Sequence, residues 1–226
     1  MHRFLLPVLL CILTGCASNI LGTDLLVSNT FFLPPSPANT VFIQNRNASD
    51  NQLVTLSDLE SRLTAKGYRV VKDYQTAQFL VFTTIVYCNQ TKQDLPVEII
   101  VSGGYGSSIM SGLSSMTGMA GMIGGPIGMA ASSAASGLLG SLGGGPSVGH
   151  KQSEGIAYAC VVDLQITDRS KAGDEPAPVN PTPGSPPPPG VYQTRLGASV
   201  YQRKFDEKEA TPLVQYRLSA AVAGYL

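Results

Sequence analysis

The chain has 226 residues, 15 basic and 15 acidic side chains, a formal net charge of zero and only 13% charged residues. That charge content is about half of the roughly 25% usual in soluble domains. A neutral chain without a basic block excludes the electrostatic footprint of nucleic-acid binding, and two histidines with four cysteines leave little material for a metal centre.

Charges are missing first at the N-terminus, where Met1-His2-Arg3 precede the apolar residues 4–13 and Leu13-Thr14-Gly15-Cys16 follows. So short a run cannot span a bilayer, which takes about 20 helical residues, so residues 1–15 read as a targeting segment that is removed. The Leu-Thr-Gly-Cys ending resembles the lipobox of bacterial lipoproteins, which implies diacylglycerol and N-acyl lipid on Cys16. In the same resemblance Ala17, in place of Asp, is an outer-membrane address. Three acyl chains hold firmly where one anchors only marginally, and this covalent lipid is the only cofactor expected.

In the mature chain Thr40-Val41-Phe42-Ile43 reads as a strand and residues 45–50 as a turn. Leu53, Leu56, Leu59 and Leu63 fall at helical spacing, with Ser49 and Gln52 as a capping box and Gly67 as the C-cap. Residues 68–71 and 79–88 read as strands, the second β-branched and aromatic. Residues 156–167 form another, with Asp163, Gln165 and Thr167 on one face and Val162, Leu164 and Ile166 on the other. The acidic residues Asp58, Glu60, Asp163, Asp168, Asp206, Glu207 and Glu209 read as solvated. Residues 192–205 make a weaker strand. A closing amphipathic helix over 207–223 places Val214, Leu218 and Val222 on one side and Pro212 in its first turn. This order predicts an α+β domain from residues 16–98 and 150–226, a small mixed sheet with covering helices. Residues 175–190 hold eight of the 16 prolines and are expected to project as a polyproline-like loop. That loop is either a ligand for a groove-type partner or, as its composition favours, a stiff solvated connection.

With residues 1–15 removed and Cys16 lipidated, Cys88 and Cys160 are the thiols left in an oxidising compartment, a candidate disulfide. Two separately buried thiols fit the sequence equally, because it does not show whether the Cα atoms lie within the roughly 7 Å that a bridge needs.

The second gap in charge is longer: residues 99–149 contain no Asp, Glu, Lys, Arg or His. In water such a Gly-rich run loses about 1 kcal/mol per glycine against helix formation and reads as a low-complexity loop. In a bilayer, unsatisfied backbone groups cost far more and helix is forced. Spacing favours the second reading, since Gly124, Gly128, Ser132, Ser136, Gly140 and Gly144 recur every four positions. Gly104, Ser108 and Gly112 do so earlier, with Ser107, Ser111 and Ser115 beside them. Such stripes let helix backbones approach closely. The expectation is that residues 99–149 form a membrane-inserted, glycine-rich hydrophobic helical hairpin with arms over 107–123 and 127–143, turning at Gly124-Gly125-Pro126. Each arm would be about 25 Å long, suited to a thin outer membrane. One hairpin so rich in Ser and Gly is a poor lipid-facing object alone, so a homo-oligomeric ring is expected, with small stripes buried and Ile, Leu and Met outward.

Catalytic motifs are missing. Gly103-Gly104-Tyr105-Gly106 lacks the last glycine and following acid of a dinucleotide fingerprint, and no Walker lysine follows a glycine loop. The mature chain keeps one histidine, His150, beside Lys151, too little for a His-dependent triad. No enzyme is expected.

Phe32-Leu33-Pro34-Pro35 with Thr40-Val41-Phe42-Ile43-Gln44, Asn47-Ala48-Ser49-Asp50, Ala65-Lys66-Gly67-Tyr68-Arg69-Val70-Val71 and Tyr192-Gln193-Thr194-Arg195 resemble, in order, the TraT family of conjugative-plasmid surface-exclusion and complement-resistance lipoproteins. The resemblance spans nearly the whole mature chain, including lipobox and Gly-rich centre. It implies an oligomeric, lipid-anchored, surface-accessible outer-membrane protein that blocks mating-pair stabilisation and redundant DNA transfer, and resists complement. The partners it implies are outer-membrane lipid, further copies of the chain, and a donor cell's pilus or outer-membrane proteins, with no nucleic acid. The Pro-rich loop and the Cys88/Cys160 pair depart from the family pattern. They keep open an alternative, a structural or pore component of an outer-membrane secretion or transport system.

Overall fold

The computed structural model describes residues 19–33, 39–91, 97–109, 155–172 and 187–226. Six strands, β1 (Ile20–Val27), β2 (Thr40–Asn47), β3 (Arg69–Val70), β4 (Phe79–Gln90), β5 (Ile156–Asp168) and β6 (Val191–Gln202), form one sheet in the order β1-β6-β5-β4-β2-β3. The pairs β1/β6, β6/β5 and β5/β4 are antiparallel, while β4/β2 and β2/β3 are parallel. Among the described residues three α-helices complete the α+β fold: α1 (Leu59–Ala65), α2 (Val97–Ser102) and α3 (Glu207–Gly224).

Helices cover one face of the sheet broadly and the other in part. On the first, Val81, Ile85, Tyr158, Val162, Leu164, Leu196 and Val200 meet Leu59 and Leu63 of α1 and Val214, Leu218 and Val222 of α3. On the second, Val97, Ile100 and Val101 of α2 lie on Ala159 and Val161. The solvated reading of Asp163 and Asp168 is thereby corrected: they are 7% and 1% exposed, because β5 lies between two layers.

Local chemistry explains where the helices start and stop. Asp206 accepts from the Lys208 and Glu209 amides and opens α3, a cap worth about 1 kcal/mol. Pro212 sits inside that helix, in its second turn and not in the expected first. α1 begins only at Leu59, so the helix expected from Leu53 onward is too long. Leu53 is 82% exposed. Ser49 donates to the Asn47 side chain, Gln52 to the Ser49 carbonyl, and Asn47 to the Asn51 and Val54 carbonyls. Those polar residues build a turn after β2 and not a capping box, since Asx-type bonds hold the backbone away from helix. Gly67 does close α1: at φ 91° its N–H reaches the Thr64 carbonyl while Tyr68 reaches Leu63, the Schellman pattern. β1 had no counterpart in the sequence reading.

Register orders the two ends of the sheet. Ile20 and Ile156 both stand opposite Gln202, and Gln90 stands opposite Tyr158. The start of β1, the end of β4 and the start of β5 therefore share one end, called here the first end. Val41, Phe79, Asp168 and Val191 mark the far end, from which residues 173–186 connect β5 to β6. No helix among the described residues is long and apolar enough to cross a membrane. Of the segment 99–149 expected to insert in the membrane, only 99–109 is described, and this part is corrected: Ile100, Val101 and Ile109 pack on the second face of the sheet, because their apolar side chains cover Ala159 and Val161.

Candidate functional site

The connection from β4 to β5 carries the charge-free segment. It leaves the first end after Gln90, and its described beginning runs back along the second face of the sheet. Here α2 sits over Gly197 of β6. A Cβ on that residue would stand 2.5 Å from Val101 Cγ2, so a larger side chain would lift the helix. After Ser102 the chain reverses: Gly104 N–H bonds the Val101 carbonyl and Ser107 N–H the Gly104 carbonyl. Ile109 then comes back onto the cluster formed by α2.

Beneath the reversal lie two charges of opposite sign, Asp163 on β5 and Arg195 directly across from it on β6. Arg195 Nε donates to Asp163 Oδ1 at 2.6 Å and Nη2 to Oδ2 at 2.9 Å. Side-chain exposures are 1% for Arg195 and 9% for Asp163. Arg195 Nη1 also donates to the Ile100 carbonyl at 3.1 Å and to Ser107 Oγ at 2.6 Å, and Nη2 to the Ser107 carbonyl at 2.8 Å. All five guanidinium donors are therefore used. Gly106 N–H donates to Asp163 Oδ2 at 3.1 Å, and the Tyr105 and Gln193 side chains both donate to Gln165 Oε1. Burying an ion pair costs several kcal/mol per ion, repaid only where geometry and extra hydrogen bonds are good. Here the extra bonds go to residues 100, 106 and 107, so what repays the burial also fastens the start of the charge-free segment to the sheet.

Burial, with the nearby Asp163 charge, raises the Tyr105 hydroxyl. Burial, together with the Asp24 and Glu98 carboxylates, pushes Tyr201 on the same face up to about 12.

At the first end Cys88 and Cys160 are cross-strand partners next to a bulge between Ile85 and Tyr87. Their Cα atoms are 4.1 Å apart and their sulfurs 2.08 Å, as in a disulfide. Cys16, Gly112, Gly124, Gly125, Pro126, Gly128, Ser132, Ser136, Gly140 and Gly144 lie outside the described residues. No group of three or more His, Cys, Asp or Glu among the described residues could hold a metal.

Sequence reasoning missed the Asp163/Arg195 pair. A signal was present: Arg195 is the lone charge of β6, and Asp163 a lone mid-strand charge in β5. Opposite charges in the middle of two long apolar strands point to a buried pair.

Comparison with known families gives one match. The model of the enterobacterial TraT complement resistance protein matches residues 21–178, from β1 through β5. No curated protein matches the chain.

Proposed function

Because the chain belongs to the TraT family of enterobacterial complement resistance proteins, a surface-exclusion and complement-resistance family and not an enzyme family, we propose that it is an outer-membrane lipoprotein whose copies form a ring that blocks redundant conjugative DNA transfer. The observation that carries this reading is the register at the first end, which brings Ile20, Gln90 and Ile156 to one end of the sheet. Cys16 is four residues before Ile20, so its lipid lies within about 14 Å of that end. The lipid and both ends of the connection that carries the charge-free segment thus converge, as they must if one end of the domain faces the bilayer.

In this reading residues 110–143 enter the membrane as hairpins whose small-residue stripes pack between subunits, while residues 100–109 stay on the sheet. The Asp163/Arg195 pair holds the stretch that leads into each hairpin, residues 100–107, against the sheet. The Cys88/Cys160 pair is oxidised in the mature protein and staples β4 to β5 where they receive the inserted segment; alkylation of the denatured lipoprotein should find neither thiol free. The far end, with the Pro-rich loop, is held away from the bilayer, where it can obstruct a donor cell's pilus or outer-membrane proteins.

Plasmid transfer into recipients expressing the chain tests the reading. Transfer of a plasmid encoding the same chain should fall many-fold, and Cys16→Ser should abolish the block by releasing the protein from the outer membrane. Unchanged transfer with the lipoprotein in place would rule exclusion out.

A further inference from the structure

The sheet has two edges without a partner strand among the described residues. At one, β1 pairs only with β6. At the other, β3 covers only Thr40 and Val41, so β2 is open from Phe42 to Asn47. Unpaired edges are templates for another strand, and proteins commonly block them with Pro or Lys. Neither residue occurs in β1 or β2.

We propose that the open edge of β2 pairs antiparallel with β1 of a second copy of this chain, extending the sheet from subunit to subunit. This rests on the ring reading above and names the contact that builds the ring.

Strand direction and the membrane select this pairing. β2 and β4 run from the far end to the first end, β5 runs back, β6 forward and β1 back. Copies rotated about an axis along the strands keep every first end on one side, and β1 of one then runs antiparallel to β2 of the next. Antiparallel pairing of β1 with its own copy would turn one subunit end over end and set the two lipids on opposite sides. A head-to-tail contact of unlike edges is the kind that closes into rings.

Hydrogen-bond alternation sets the register. Ser28 N–H donates to the Arg195 carbonyl on β6, so Asp24 and Leu26 also aim their main chain at β6, while Thr23, Leu25 and Val27 aim theirs at the open edge. On β2 the Thr40 carbonyl accepts from Gln78 on the β4 side and the Val41 carbonyl from Val71 on the β3 side. Ile43, Asn45 and Asn47 therefore face outward. Pairing Thr23 with Asn47, Leu25 with Asn45 and Val27 with Ile43 uses all of these groups and covers Leu25, which is 41% exposed.

That register sets Asp24 opposite Arg46, acid against base, on the face that carries α2. Arg46 is exposed and forms no ion pair among the described residues. The wider edges agree in sign. Glu98 lies with Asp24 around Tyr201, and Arg69, across from Thr40, shares the face of Arg46.

The test uses the full-length lipoprotein in outer-membrane preparations. Asp24→Cys with Arg46→Cys in one chain should, on oxidation, give a ladder of covalent multimers on non-reducing gels. The off-register pair Asp24→Cys with Gln44→Cys should give little. Separately, Asp24→Arg or Arg46→Asp alone should lower the oligomer-to-monomer ratio about tenfold, and the two together should restore it, since the cross-strand charges change from attractive to repulsive and back. Dimers from Asp24→Cys alone, or an unchanged oligomer with neither ladder nor charge effect, would overturn the edge contact and leave the ring standing. A monomeric native lipoprotein would overturn both.

Discussion

Arg195 spends two donors on Asp163 alone and three more contacts on carbonyls and a hydroxyl of the reversal above it, and this division can be measured. Arg195→Ala leaves a buried carboxylate without a partner and should cost about 3–5 kcal/mol in denaturant unfolding. Removing both charges, as Arg195→Met with Asp163→Leu, should recover most of that stability. It should still leave residues 103–109 far more open to proteolysis, because Ile100 and Ser107 have lost their tether. A double variant as resistant as the native chain would mean that the pair does not hold the segment. Buried Tyr158 and half-buried Tyr105 and Tyr201 should weaken the fold in alkali. Burial raises Tyr105 and Tyr158, and Tyr201 reaches about 12. Their neutral forms are favoured by folding, so this stabilisation is complete below the ordinary value of 10.0 and fades as pH rises towards about 12. Circular dichroism should therefore show a structured chain up to pH 10.0 and loss above it; earlier loss would contradict the burial of these rings. Asp163 was hard to read because period-two alternation in β5 looks like one wet face. What roofs that face is a Gly- and Ser-rich stretch whose composition reads as linker or membrane, so nothing within β5 announces its burial.

At the scale of elements, α2 depends on the missing side chain at Gly197. Gly197→Ala would bring a Cβ to 2.5 Å from Val101 and 3.3 Å from Val97, an overpacking that typically costs about 1–3 kcal/mol. Hydrogen exchange should quicken in α2 and residues 103–109 while α3, on the opposite face, stays protected; equal quickening of α3 would mean the two layers are not independent. The legible elements were those with strong local signals. β4 and β5 are long β-branched runs, and α3 has apolar residues every four positions behind an acidic cap. Leu53 and Leu56 matched the helical period, yet the Asn47 and Ser49 side chains took the backbone into a turn. β1 was invisible because Gly22 and Asp24 interrupt its apolar pattern, and a bulge after Ile20 shifts its register. Only pairing with β6 makes it a strand.

At the scale of the whole molecule, the composition that opened the sequence reading acquires a direction. The start of β1 and the two ends of the connection that carries the charge-free segment are far apart in sequence, and their meeting at one end of the sheet follows from strand order, which no single segment encodes. The family and the α+β class were readable from local motifs; the polarity of the domain was not. The central claim is that this polarity is the protein's orientation on the membrane. A fluorophore on Arg203→Cys lies next to the first end, and one on Lys72→Cys follows β3, which pairs with the far-end start of β2. In vesicles of outer-membrane lipid carrying a membrane-embedded quencher, the lipidated protein should show strong quenching at position 203 and almost none at position 72. Equal quenching at both positions, or stronger quenching at 72, would contradict the orientation and with it the proposed mode of action.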